Sequence, residues 1–204
     1  MERRDFVLKS GLLGAMGLIS SNVFSAPDEQ GKAATLKPVL LPPLAPLEHN
    51  GGLSIRTWVR SEMTGGVYSS VETAVAPKTM GPPPHYHKEL DELMYVVEGT
   101  ASVLIGKDVV EVKAGGWHLR PRLIQHTFWN AADTPVRFID MYFNQPFEQY
   151  LESIFFELTE KNGFPEGSEA KTREMNALNS KFGVVFSETA FKEYDDIKKQ
   201  FGLK

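Results

Sequence analysis

Between residues 53 and 143 the apolar positions come in short runs rather than long stripes. The runs cover residues 53–60, 67–75, 93–97, 101–105, 109–112, 126–130 and 136–143. Turn signals separate them: Thr64-Gly65-Gly66, Glu98-Gly99, Gly106-Lys107-Asp108, Ala114-Gly115-Gly116 and Asp133-Thr134-Pro135. Glycine, proline, aspartate and asparagine punctuate strands because they supply turn backbone geometry at low cost. Many short strands at close spacing predict a mainly β sandwich or barrel. No segment repeats another, which predicts one barrel over residues 51–145.

At Pro146 the period changes. Phe147, Tyr150, Leu151, Ile154, Phe155 and Leu158 recur as i, i+3, i+4, i+7, i+8 and i+11, the stripe of an amphipathic helix ending near Gly163. A second helical run carries Met175, Leu178 and Phe182 up to Gly183. A third carries Phe191, Tyr194 and Phe201, with Ser187 as its expected N-cap and Gly202 as its stop. Residues 146–204 are thus expected to form a helical extension that packs on the barrel or on a second copy in a homodimer, since isolated amphipathic helices cannot bury their own stripes. Ahead of the barrel, residues 27–50 carry five prolines (Pro27, Pro38, Pro42, Pro43 and Pro46) with no sustained period, which predicts an extended arm draped over it.

The first 26 residues place Arg3-Arg4, Phe6 and Lys9 before a short, glycine-containing apolar stretch from Gly11 to Ile19. They read as an export signal, cleaved after Ser25 or Ala26. The stretch is short of the roughly 20 apolar residues of a membrane span, so no stable span is expected after processing. The Arg-Arg-Asp-Phe-Val-Leu-Lys run resembles the twin-arginine consensus, with Glu2 where Ser or Thr is usual. A general secretion signal, or a buried amphipathic N-terminal helix, is the alternative.

Composition narrows the chemistry. The 204 residues are 42% apolar and 24% charged with a net charge of −4, enough for a core and without the basic patches that a nucleic-acid partner requires. With no cysteine there is no disulfide, no thiolate nucleophile and no zinc–thiolate site. A metal must sit on nitrogen and oxygen. Three of the five histidines fall in two short motifs. In Gly81-Pro82-Pro83-Pro84-His85-Tyr86-His87-Lys88-Glu89-Leu90-Asp91-Glu92, an extended chain places His85 and His87 on one side. Glu92 opens the next apolar strand on the face of Met94 and Val96, where a lone carboxylate is costly and a metal would offset the cost. Asp91 or Glu89 would take its place if the strand slipped. The second motif is Gly115, Pro121, His126 and Asn130, with spacings of six, five and four.

Together these motifs resemble those of the cupin superfamily, whose two patterns run G(x)5HxH(x)3-4E(x)6G and G(x)5PxG(x)2H(x)3N. Gly81 lies nearer the first histidine than the pattern has it, and Leu123 stands in place of the PxG glycine, where a residue tolerant of positive φ is usual. Neither departure touches a ligand position. The opening GPPPH and the YVVEG run look especially like single-barrel (type-2) cupins grouped with quercetin dioxygenases. The resemblance implies a double-stranded β-helix (jelly-roll) barrel and a metal held by His85, His87, Glu92 and His126.

Three imidazoles and a carboxylate suit one divalent transition ion: iron or manganese by preference, because a twin-arginine substrate folds before export, with nickel, cobalt, copper or zinc as alternatives. Four protein ligands leave an octahedral ion two positions, as in an enzyme site. The expected activity is a dioxygenase acting on a small oxygen-bearing substrate, with Glu92 as the catalytic candidate that takes a substrate proton and Met94 and Phe128 as pocket-wall candidates. The alternatives are a non-catalytic small-ligand or metal-binding module and a metal-dependent isomerase or lyase. His118 matches no ligand position, and Trp58, Trp117 and Trp129 are expected in packing. His49 is expected to be exposed.

Overall fold

The computed structural model describes residues 36–204, so the expected export signal and the first part of the arm lie outside the described residues. Ten strands come first: β1 (Leu53–Val59), β2 (Tyr68–Val75), β3 (Thr79–Met80), β4 (His85–His87), β5 (Asp91–Glu98), β6 (Thr100–Ile105), β7 (Asp108–Lys113), β8 (Trp117–Arg120), β9 (His126–Asn130) and β10 (Val136–Phe143). Then follow α1 (Phe147–Glu152), α2 (Glu169–Phe182), β11 (Val184–Phe186) and α3 (Ala190–Phe201). The strands form two antiparallel sheets. One runs β1-β2-β10-β5-β8 and the other β11-β4-β9-β6-β7, with β3 also on β9. Two sheets facing each other over a shared core make the jelly roll that the strand pattern predicted.

Alternation explains the central strands. In β10, Val136, Phe138, Asp140 and Tyr142 are buried while their neighbours are half-buried. Val96 and Phe138 face each other in register across β5 and β10. With Val75, Met94, Val103 and Val112 they build an aliphatic core at one end of the barrel. A second core of Ile55, Leu90, Tyr142, Phe147, Tyr150 and Phe182 joins the barrel to the tail. Ring pairs such as Phe147 on Tyr150, centroids 4.6 Å apart, make this junction mainly aromatic.

The tail differs from a purely helical extension. The stripe from Phe147 begins as α1 but widens into a π-helical turn at Ser153–Glu157, keeping Leu151, Ile154 and Phe155 against the barrel. α2 starts at an N-cap, Ser168, whose hydroxyl accepts from the Lys171 amide, and stops at Gly183 with φ 64°. Directly after it, β11 pairs with β4, placing Val184 opposite His87 and Phe186 opposite His85. The third helix is capped at Thr189 rather than Ser187. Residues 36–46 are exposed and belong to no helix or strand, and the Ala45 carbonyl accepts from Arg56. His49 is half-buried rather than exposed, its Nδ1 accepting from the Gly51 amide. No helix among the described residues is long and apolar enough to cross a membrane.

Two backbone positions explain the departures from the motif pattern. Gly81 lies against the Phe128 carbonyl, to which its amide donates at 2.9 Å, and a side chain there would clash. The glycine serves close approach rather than the turn. Leu123 adopts the left-handed conformation itself, at φ 65°. The turn before His126 is therefore kept, at the cost of strain in a residue with a Cβ.

Candidate metal centre

Alternation along β4 turns His85 and His87 inward, both buried, with Tyr86 between them half-buried. His126 is directly opposite His85 across β9. Glu92, second in β5, reaches in from the other sheet. One ligand atom from each of His85, His87, Glu92 and His126 lies within 4.8 Å of the others. His87 Nε2 is 2.9 Å from Glu92 Oε1, and His126 Nε2 is 3.4 Å from Oε2.

Two of the three rings are oriented in the same way. His85 Nδ1 lies 2.8 Å from the Pro83 carbonyl and His126 Nδ1 3.0 Å from the Ile124 carbonyl, each two residues upstream. A carbonyl only accepts, so each Nδ1 carries the hydrogen and each Nε2 presents a lone pair. His87 lacks such a tether and is held by Phe147 packed edge-on at 5.0 Å. Burial, then His126 and His87, push His85 down to about 3, keeping it a neutral ligand. The Nε2 atoms of His87 and His126 are buried with no aligned hydrogen-bond partner. The lone pairs gathered here outnumber the donors that reach them, and a cation relieves this. The residues fit one divalent transition ion, whose identity they leave open.

The centre also contains residues that the sequence reading passed over. Arg120, 1% exposed, sits opposite Glu92 across β8 and β5, and its Nη2 is 3.1 Å from Glu92 Oε2. The same nitrogen donates to Asp140 Oδ1. Tyr142, opposite Glu92 on the other side, donates to Asp140 Oδ2 at 3.3 Å. Burial alone would raise Glu92, but Arg120 and the flanking histidines outweigh it and hold the carboxyl well below its usual range. Burial raises Asp140 despite Arg120. The signal for Asp140 was its inward place in the alternation of β10.

A cavity of about 530 Å³ adjoins this cluster. Its walls include Ile55, Phe128, Phe155 and Phe186, with Asp140 and Tyr142 at the cluster side. Phe186 links the two, packing on His85 at 5.7 Å. Phe128 lines this cavity while also packing on the aliphatic core, and Met94 lies within that core. Glu92 does not line the cavity, and Arg120 ties it down. Asp140 and Glu166 are the carboxylates on the cavity wall, and Asp140 is the one joined to the cluster, through Arg120. Asp91 accepts from the Arg122 amide and side chain, and Glu89 is exposed, which leaves Glu92 alone in the cluster. His118 is half-buried, its basicity lowered by burial and by Arg120. Trp129 is buried against Phe201, whereas Trp117 is exposed beside Tyr95. None of the four cluster residues lines the cavity of about 530 Å³ itself, and none lines the more open groove of about 630 Å³ beside α3.

A jelly-roll barrel with three histidines and a glutamate gathered inside it defines a class of small metal-site barrels. Residues 71–142, the stretch from β2 to β10, match the family described as Cupin domain (Cupin_2). No curated protein matches the chain by sequence. Among solved structures it is similar to KdgF from Halomonas sp., at 17% identity and TM-score 0.43, over 48% of this chain and 84% of that one. It is similar to the polyketide cyclase RemF from Streptomyces resistomycificus, at 23% and 0.41, over 46% and 66%. A sugar phosphate isomerase of the cupin superfamily from Silicibacter pomeroyi matches at 21% and 0.40, over 48% and 62%.

Proposed function

We propose that the chain is a metal-dependent dioxygenase acting on a small, largely apolar organic substrate that carries an oxygen donor. The observation that carries this reading is the aromatic-walled cavity ending on Asp140 beside the His85–His87–Glu92–His126 cluster. An iron or manganese ion held by these four residues would supply an electrophilic centre able to gather a substrate oxygen and O2. The chain's own contributions are separate. Phe128, Phe155 and Phe186 exclude water and orient a flat substrate. Asp140 accepts a hydrogen bond from a substrate hydroxyl, and the tethered rings of His85 and His126 keep their lone pairs aimed inward. The N-terminal Arg3-Arg4 signature supports export to an extracytoplasmic compartment after folding, which is the reason for preferring iron or manganese.

The test is an oxygen-electrode assay of iron- and manganese-loaded protein against flavonol and diketone panels. O2 uptake matched to substrate loss is expected. Turnover that persists without O2 would replace the reading with an isomerase or lyase, and tight ligand binding without turnover would replace it with a binding module.

A further inference from the structure

We infer that Arg120, neutralised by Asp140, is a positioning residue that fixes Glu92 as a one-oxygen ligand. The inference rests on reading the four cluster residues as metal ligands, and does not depend on which reaction follows. Three adjacent strands place Arg120, Glu92 and Tyr142 side by side in register, with Arg120 on β8, Glu92 on β5 and Tyr142 on β10. The two oxygens of Glu92 are therefore unequal. Oε2 is shared between Arg120 at 3.1 Å and His126 at 3.4 Å, whereas Oε1 has only His87, at 2.9 Å. A free carboxylate can offer a metal both oxygens, but one held by a guanidinium offers the other.

Charge explains the second carboxylate. A buried cation next to a divalent ion would repel it; Asp140, 2% exposed and bonded to the same Arg120 nitrogen, cancels that charge. Two observations separate this role from an ordinary buried ion pair. Arg120 Nε is buried without a partner, so the fork is not saturated as a purely structural arginine would be. The edge strand β8 also runs inverted, leaving Trp117 and Leu119 exposed while Arg120 is turned in. Two apolar side chains stay in solvent to deliver one cation to the cluster.

The experiment compares Co(II)-loaded protein with the Arg120→Met/Asp140→Asn double variant, which removes both charges together, and with Arg120→Lys and Asp140→Asn. Far-ultraviolet circular dichroism first shows which variants are folded. If the unaltered protein binds no Co(II), the ligand reading itself fails and the inference falls with it. If it binds, the visible Co(II) bands of the double variant are expected to shift and weaken as Glu92 gains freedom to offer both oxygens. Arg120→Lys, a single point donor, is expected to fall between. Asp140→Asn, which leaves Arg120 uncompensated, is expected to weaken Co(II) binding by about 10- to 100-fold. Bands superimposable on those of the unaltered protein in a folded double variant would overturn the inference. Should that variant not fold, Arg120→Lys decides in the same way: displaced bands support the inference and superimposable bands overturn it.

Discussion

Two buried glutamates in one sheet, Glu72 on β2 and Glu92 on β5, are treated in opposite ways. Glu72 Oε1 accepts from Arg137 at 2.8 Å, and its Oε2 accepts from Trp58 at 2.8 Å and Arg56 at 3.3 Å. Every partner is a donor, and the carboxylate is complete without help. Glu92 meets one arginine and imidazole nitrogens that lack their own partners. In both cases burial opposes the charge and neighbouring donors outweigh it, so both carboxyls titrate below their ordinary value. The lesson is that burial and a depressed carboxylate do not mark a site. What marks it is the mismatch among the surrounding groups, which only an added cation resolves.

The sharpest break between the two is metal binding. Glu92→Gln removes the cluster's one anionic ligand, and we expect divalent-ion affinity to fall by about 100-fold or more, the upper range for partners one shell further out. Glu72→Gln is expected to leave affinity unchanged within about twofold. Titration with Co(II) or Mn(II) followed by calorimetry checks both. Equal losses in the two variants would erase the distinction. The same pair separates in melting experiments: an ion at 100 times its dissociation constant adds about 2.7 kcal/mol to a protein that binds it and nothing to one that does not.

Stability reverses the order. Glu72→Gln breaks charge-assisted hydrogen bonds that have no other function, and we expect a loss of about 2 kcal/mol, or about 4–8 °C in melting temperature. Arg56 and Arg137 are partly exposed and can turn to water, which keeps the loss below that of a fully buried pair. Urea unfolding of the metal-free protein checks it. A drop below about 0.5 kcal/mol would mean that the network is ornamental.

Acid separates the two regions by where each begins to fail. His85 titrates at about 3 in the folded chain against an ordinary value near 6.5, so the unfolded chain binds the proton first. Stability of the metal-free protein therefore falls as pH drops below about 6.5, by about 1.5 kcal/mol on reaching pH 5. His118, also lowered, adds in the same direction. Glu72 is lowered as well, but its ordinary value is that of a carboxylate, so its contribution is lost only as pH falls below about 4.5. Between pH 6.5 and 5 the slope should survive Glu72→Gln and diminish in His85→Asn. A slope unchanged in His85→Asn would place the sensitivity elsewhere.

The four-residue cluster was legible because period-two alternation and motif spacing are local: His85 and His87 must share a face, and Glu92 and His126 follow at fixed distances. Arg120 and Asp140 were not legible in the same way. Their meaning comes from the β8-β5-β10 register, which joins segments far apart in the chain. β8 also misleads, because its apolar residues Trp117 and Leu119 point out and its polar ones in, the reverse of what a hydropathy pattern assumes. Three-residue β11 was hidden between two helices, since it is held by pairing with β4 rather than by any period of its own. The π-helical turn after α1 keeps the same apolar stripe as an ordinary helix and leaves no separate mark.

The smallest effect tests whether the site side of the sheet stores strain that the Glu72 side does not. Leu123 lies in the turn between Arg120 and His126, at φ 65° and largely exposed, with its amide donating to the His87 carbonyl at 2.8 Å. Its side chain contributes little burial, while its Cβ makes the left-handed backbone costly by about 1 kcal/mol. Glycine removes that cost but adds entropy to the unfolded chain, which offsets part of the gain. We therefore expect Leu123→Gly to raise the melting temperature by about 1–3 °C, with metal affinity preserved because the amide bond to His87 remains. Leu123→Val, β-branched and worse suited to positive φ, should lower it. If glycine lowers stability and valine leaves it unchanged, the leucine is held there by packing rather than tolerated in spite of strain, and the turn delivering His126 is not a strained one.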